Sequence, residues 1–370
     1  FSLAGILNKR TLIVTTVVFL LLYFLTNCTR QSTIEDNNLV NLNYNVSVNK
    51  NIELLTVIQY LADFDLKYEG GHIIAEEKES IYRDNVKKHF AEYREHPAVV
   101  LYEEMVNYGF AFDTSTRFML YVDDNLEFKD PNIEKTLAME EKEKWGGFEK
   151  GQKFLIALKE FESDTNFNDF YKESLEIYNQ FVYDFETKIP LKNMIELLVT
   201  FYGYNHDSYN IIITPLSPSG KGPYIENSNS GLEAYCICVP IDNLTNPVEM
   251  VIHEFSHSYI NPLAFKNSYP ILKASHLLEP ISEEMKLISY GSWMTVAIEH
   301  IVRASTARII YHLEGQESAA QELEKQINKG FIYIEPIYNK LIEYEKNRNI
   351  YPTIDEFFSE IISIFRRLAK

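Results

Sequence analysis

Asn246-Pro247-Val248-Glu249-Met250-Val251-Ile252-His253-Glu254-Phe255-Ser256-His257-Ser258-Tyr259-Ile260-Asn261-Pro262 is the stretch around which the rest of this 370-residue chain is read. Asn246 is a good helix N-cap, and Pro247 falls at the first helical position, where its missing N–H is not needed. Pro262 stands where a helix is expected to stop. Between them Val248, Ile252, Phe255 and Tyr259 recur at helical spacing, while Met250, His253, Glu254 and His257 fall toward a different face. The spacing predicts a helix over 247–260 with one side in a core and two histidines on another.

Two imidazoles four residues apart on one helical face can share a metal ion, and Zn2+ accepts neutral imidazole nitrogen. A catalytic zinc keeps three protein ligands and leaves a position open to water. Glu254, beside the metal face, is placed to take a proton from such a water and pass it to a leaving amine. His253-Glu254-x-x-His257 resembles the motif of the zincin metallopeptidases, and specifically of the gluzincin branch, because no histidine follows His257 before His276. The resemblance implies Zn2+ as cofactor, His253 and His257 as ligands, Glu254 as general base and a glutamate from a later helix as third ligand. Glu279, Glu283, Glu284, Glu299 and His300 are the candidates for that ligand. Glu299 is preferred, since Trp293–Arg303 reads as a buried helix in which a carboxylate needs a partner. Arg303, one turn on, either orients that carboxylate or simply pairs with it. An oxyanion stabiliser is also implied, and Tyr290, His300, Tyr311 and His312 are all eligible.

Outward from the motif, Tyr209–Thr214 and Ala234–Val239 are β-branched or apolar runs ending at prolines, and read as strands. The resemblance makes Ala234–Val239 the edge strand that pairs with extended substrate. The loop rich in Ser, Gly, Pro and Asn between them, Leu216 to Gly231, would border the groove or be plain surface. Residues 51–201 repeat apolar positions at three and four and form a helical N-terminal lobe; Phe118–Val122 within it is a strand or an irregular connection. Downstream, helices are expected near 293–314, 318–327 and 354–368. The expected fold class is α+β, predominantly helical, with a small sheet before the motif helix and a zincin-like region over 202–370.

At the N-terminus Lys9 and Arg10 precede an apolar run to about Thr26, short for a bilayer span and typical of an export signal over 1–27. Leu25-Thr26-Asn27-Cys28 resembles a bacterial lipobox, which implies lipidation at Cys28 and a place in the cell envelope. An uncleaved signal anchor is the alternative. The polar, Asn-rich residues 28–50 read as a flexible tether. The whole chain is similar to a group of bacterial surface lipoproteins carrying this motif. With a net charge of −18, nucleic acid is an unsuitable partner. Cys236 and Cys238, two apart on a strand, share a face without disulfide geometry.

The function these features favour is a lipid-anchored zinc metallopeptidase acting on peptide or protein outside the cytoplasm. A zinc hydrolase for another bond would need the same ligands. A non-enzymatic surface protein that captures glycans or peptides on its 25 Tyr and 23 Phe residues is the competing class.

Overall fold

The computed structural model describes residues 42–62, 80–217, 220–226, 231–288 and 290–369. The export signal expected over 1–27 and the lipidation expected at Cys28 fall outside them. The described chain is α+β and predominantly helical. In order it runs β1 (Tyr44–Ser47), then α1 (Lys50–Leu61), α2 (Ile81–Phe90), α3 (Pro97–Val106), α4 (Phe112–Leu120), α5 (Phe148–Asp164), α6 (Phe167–Glu173), α7 (Leu175–Lys188) and α8 (Leu191–Tyr202). Next come β2 (Ser208–Ile213), β3 (Tyr224–Glu226) and β4 (Leu232–Cys238), and then the longer helices α9 (Pro247–Lys266), α10 (Trp293–Glu314), α11 (Gln316–Asn328), α12 (Ile334–Lys346) and α13 (Ile354–Leu368). No helix among the described residues is long and apolar enough to cross a membrane.

The strands form one sheet in the order β1-β2-β4-β3, the first three parallel and β3 antiparallel to β4. Parallel strands buried on both faces carry continuous apolar runs, as β2 and β4 do. Alternation then divides their side chains. Val46, Ile211, Ile213, Cys236 and Cys238 enter the core shared with α8, α9, α10, α12 and α13. Ile212, Tyr235 and Ile237 enter the core built by α1 through α6. The sheet is thus a wall between two cores, and residues 42–370 form one compact unit. The change of side falls inside α7, whose Tyr178 joins the helical lobe and whose Phe185 joins the motif side, earlier than the expected division at 201/202.

Three local expectations are corrected. Residues 28–50 are not a tether throughout: Tyr44–Ser47 pairs with β2 from Tyr44↔Tyr209 to Ser47↔Ile212, and α1 begins at Lys50 with Asn49 as its cap. Phe118–Leu120 is helical, because α4 is enclosed on several sides. Phe118 meets the Trp145 ring edge-on at 4.7 Å, and the last turn of α4 is buried from Phe118 to Leu120, so this stretch shows no polar period. Finally, α9 continues through Pro262 to Lys266. Proline removes one bond, to the Ser258 carbonyl, but the buried Leu263 and Ala264 hold the extra turn in the core.

Candidate metal centre

Asn246 caps α9 by accepting from the Glu249 N–H at 3.1 Å, and the helix is buried on every side from Val251 to Ile260. Its dry environment comes from β4 on one flank and α10 on another. Ser292 caps α10 in the same way, accepting from the Thr295 N–H at 3.1 Å. These two helices deliver His253, Glu254 and His257 from one side and Glu299 and Arg303 from the other.

His253 Nε2 and His257 Nε2 are 3.2 Å apart. Glu299 Oε2 lies 3.6 Å from the first and its Oε1 3.5 Å from the second. Three ligands at ordinary zinc bond lengths, on the corners of a tetrahedron, stand about 3.3 Å from each other. The triangle therefore has the size of a three-ligand face. His253, Glu254 and His257 also form a group whose ligand atoms all lie within 4.8 Å, so this cluster could hold a metal ion. Glu254 belongs to that wider group, whereas the tighter spacing belongs to Glu299.

The electrostatics suit the same occupant. Burial, then Arg303 and His257, push the His253 imidazole well below its ordinary pKa, so it stays neutral with a lone pair to give. His257 Nδ1 lies 3.1 Å from Asn261 Oδ1, an acceptor that suits the tautomer leaving Nε2 open to a metal. Burial, then the charges of Asp113 and Glu299, push Glu254 well up. A divalent cation beside it would reverse that balance. His253 Nδ1 has no hydrogen-bond partner among the described residues.

Glu299 is held from behind. Arg303 Nη2 is 3.0 Å from Glu299 Oε2, and Nη1 donates to Gln326 Oε1 at 2.8 Å. The guanidinium lies 4.3 Å from the centre of the Phe331 ring. Burial works against its charge, but Glu299 and Tyr290 outweigh it and raise its pKa. Gln326 in turn donates to Glu322, which with Glu249 pairs Lys325 at 3.1 Å each. The ion pair weighed as an alternative to ligation is thus present, yet it leaves Glu299 in reach of both histidines.

The strand beside the site is not the one expected. Ala234–Val239 includes most of β4, which is interior: β2 pairs along one side, and on the other Lys221 exchanges both backbone bonds with Ile237 at 2.9 Å while Tyr235 donates to Pro223 at 3.0 Å. The edge next to the motif is residues 220–226, running antiparallel to β4. A Cβ on Gly220 would lie 2.6 Å from Glu254 Oε1, and one on Gly222 would overlap the Glu254 carbonyl oxygen. Only glycine lets this edge lie flat against the helix.

The other candidates disperse. Glu279, Glu283 and Glu284 are exposed. His300 is fully buried against Phe331 and Tyr333, its Nδ1 2.7 Å from the Val296 carbonyl oxygen. Tyr311 packs on Arg308, and His312 pairs with Glu345. Of the four eligible stabilisers, Tyr290 stays near the site, its hydroxyl 3.4 Å from Arg303 Nη2. Burial, then Glu299, raise its pKa, so it remains a proton donor. Gln326 and the two glycines were not anticipated. The Gly-Lys-Gly spacing at 220–222 was the one legible sign, since paired glycines mark a close backbone approach.

The chain is thus an α+β protein in which a wall-like sheet supports a helix able to hold a metal through paired histidines. Residues 44–364 match the family described as "Domain of unknown function (DUF4932)", and the chain belongs to that family. No curated protein and no solved structure matches it.

Proposed function

We propose that this protein is a zinc-dependent hydrolase, and within that class a metallopeptidase. The observation that carries the reading is the triangle of His253, His257 and Glu299, 3.2 to 3.6 Å on its edges, with Glu254 beside it and a strand edge against Glu254. His253, His257 and Glu299 would hold Zn2+. When bound, the ion supplies Lewis-acid polarisation and makes water nucleophilic near neutral pH.

The chain's own residues divide the remaining work. Glu254 accepts a proton at its carboxylate and returns it to the leaving nitrogen. Residues 220–226 are an antiparallel edge with no further strand beside it among the described residues, and alternation turns the N–H and C=O of Gly222 away from β4, toward an extended peptide. Tyr290 keeps its proton beside Arg303, where it can donate to developing negative charge. The apolar packing of α9 and α10 excludes water from behind the site. The export signal and Cys28 place this activity on the cell envelope through a lipid anchor, a part of the proposal supported by sequence alone.

The test is the metal content of the full chain by elemental analysis, with hydrolysis of a broad peptide library. One zinc per chain is expected, lost in His253→Ala and Glu299→Gln, and retained without turnover in Glu254→Gln. A wild type that takes up no zinc on reconstitution overturns the proposal and favours the surface-binding class.

A further inference from the structure

α9 and α13 end at a common cleft of about 780 Å3, none of whose lining residues belongs to the metal centre. Asn267, which follows α9, and the short helix Ser268–Leu272 form one wall, and Ser363 and Arg366 of α13 stand on the other. The short helix packs on α13, and His276 Nε2 ties the walls together, 3.2 Å from the Ala369 carbonyl oxygen. The volume suits a small ligand or a lipid headgroup.

Charge is sorted toward this corner. α13 carries Asp355 and Glu356 in its first turn and Arg366 and Arg367 in its last. Lys266 closes α9, and Lys273 follows the short helix. Residues 265–276 contain no acid, and Glu360 is the acid in the cleft lining. None of the four cations forms an ion pair with a described residue; Lys273 instead lies 4.9 Å from the centre of the Tyr269 ring. Basic last turns ordinarily complement the helix dipole, about half a negative charge at each C-terminus. Two helix ends and Glu360 together still leave four cations in excess. Apolar groups gather here too: Tyr269 is 70% exposed, and Phe265 and Leu272 are half-exposed. Single exposed apolar residues are ordinary, but rings and cations together around a cleft match a bilayer interface, where rings sit at headgroup level and cations pair with phosphate.

We propose that this corner docks on an anionic phospholipid bilayer, with a headgroup phosphate in the cleft between Lys273 and Arg366 and with Phe265, Tyr269 and Leu272 in the interfacial layer. The net charge of −18 repels the rest of the surface from such a bilayer, so docking fixes which face approaches it. The inference is independent of the chemistry at the metal centre.

The experiment mixes the full chain with vesicles of phosphatidylcholine alone or in equal mixture with phosphatidylglycerol, both with brominated acyl chains. Tyr269→Trp reports lipid contact by fluorescence quenching, above the background of the buried Trp145 and Trp293. Quenching is expected on the anionic vesicles and not on the neutral ones, and high salt should abolish it. Adding Lys273→Gln and Arg366→Gln should lower the ratio of docked to undocked chain about 30-fold, roughly fivefold per cation. The apolar residues 11–26 are common to every variant, so these differences belong to the corner itself. Ile156→Trp, at an exposed position of α5, should stay unquenched. Equal quenching of Ile156→Trp, or quenching of Tyr269→Trp that ignores lipid charge and both Gln substitutions, overturns the proposal. So does binding of glycerol 3-phosphate that depends on Lys273 and Arg366 while Tyr269→Trp stays unquenched on anionic vesicles, which would make the cleft a site for a free anion.

Discussion

Glu53 lies in the middle of the helical lobe with its side chain fully enclosed. Tyr82 donates to its Oε2 at 2.6 Å, and the Tyr82 and Tyr178 hydroxyls are 2.8 Å apart. Burial raises this carboxyl from 4.5 to about 7, against hydrogen bonding from Thr214, Tyr82 and Tyr178. The folded chain therefore binds a proton that the unfolded chain has released between those values. The resulting stability is fully present below about pH 4.5 and lost as pH rises through about 7. The whole shift corresponds to about 3.4 kcal/mol, of which about 2.5 kcal/mol falls between pH 5 and pH 8. Glu53→Gln keeps the acceptor for Tyr82 and removes the proton. Urea unfolding of wild type and variant at both pH values isolates the effect, because every other titrating group is common to the two. The variant should gain about 2.5 kcal/mol on wild type in going from pH 5 to pH 8. A difference that does not change with pH would refute the reasoning.

Two further changes probe the centre. Gly222→Ala puts a methyl group into the Glu254 carbonyl, so residues 220–226 must lift from α9; peptide turnover should fall at least about 10-fold with zinc retained, as activity assay and elemental analysis together would reveal. Gln326→Leu removes the acceptor that fixes Arg303 behind Glu299, and should weaken zinc affinity by about 10- to 100-fold in chelator competition, while thermal unfolding of the metal-free chain shifts far less.

Much of the architecture was readable because it is local. The helices at Trp293–Glu314 and Ile354–Leu368 have the bounds that periodicity and caps assign, and His253, His257 and Glu254 follow from a four-residue spacing on a capped helix. α12 was readable in principle, since Ile337, Leu341 and Tyr344 form a buried stripe at helical spacing. β1 was not, because among Tyr44, Asn45, Val46 and Ser47 only Val46 is buried and the strand exists through pairing with residues more than 160 positions away. The same holds for the edge beside the site. The zincin resemblance made Ala234–Val239 the edge, but the backbone of 220–223 pairs to the outer side of β4, and hydrogen bonds of that kind leave no mark in side-chain pattern.

The sequence by itself determined that a helix presents two histidines and a glutamate together, since i, i+4 geometry follows from the backbone alone. Only the tertiary structure decided which distant groups complete the centre. Glu299 was one acid among several until the packing of α10 on α9 brought it within 3.6 Å of both imidazoles and left Glu279, Glu283 and Glu284 at the surface. Gln326 belongs to a helix more than sixty residues beyond the motif, and reaches the site only because the packing of α11 on α10 sets it against Arg303 behind Glu299.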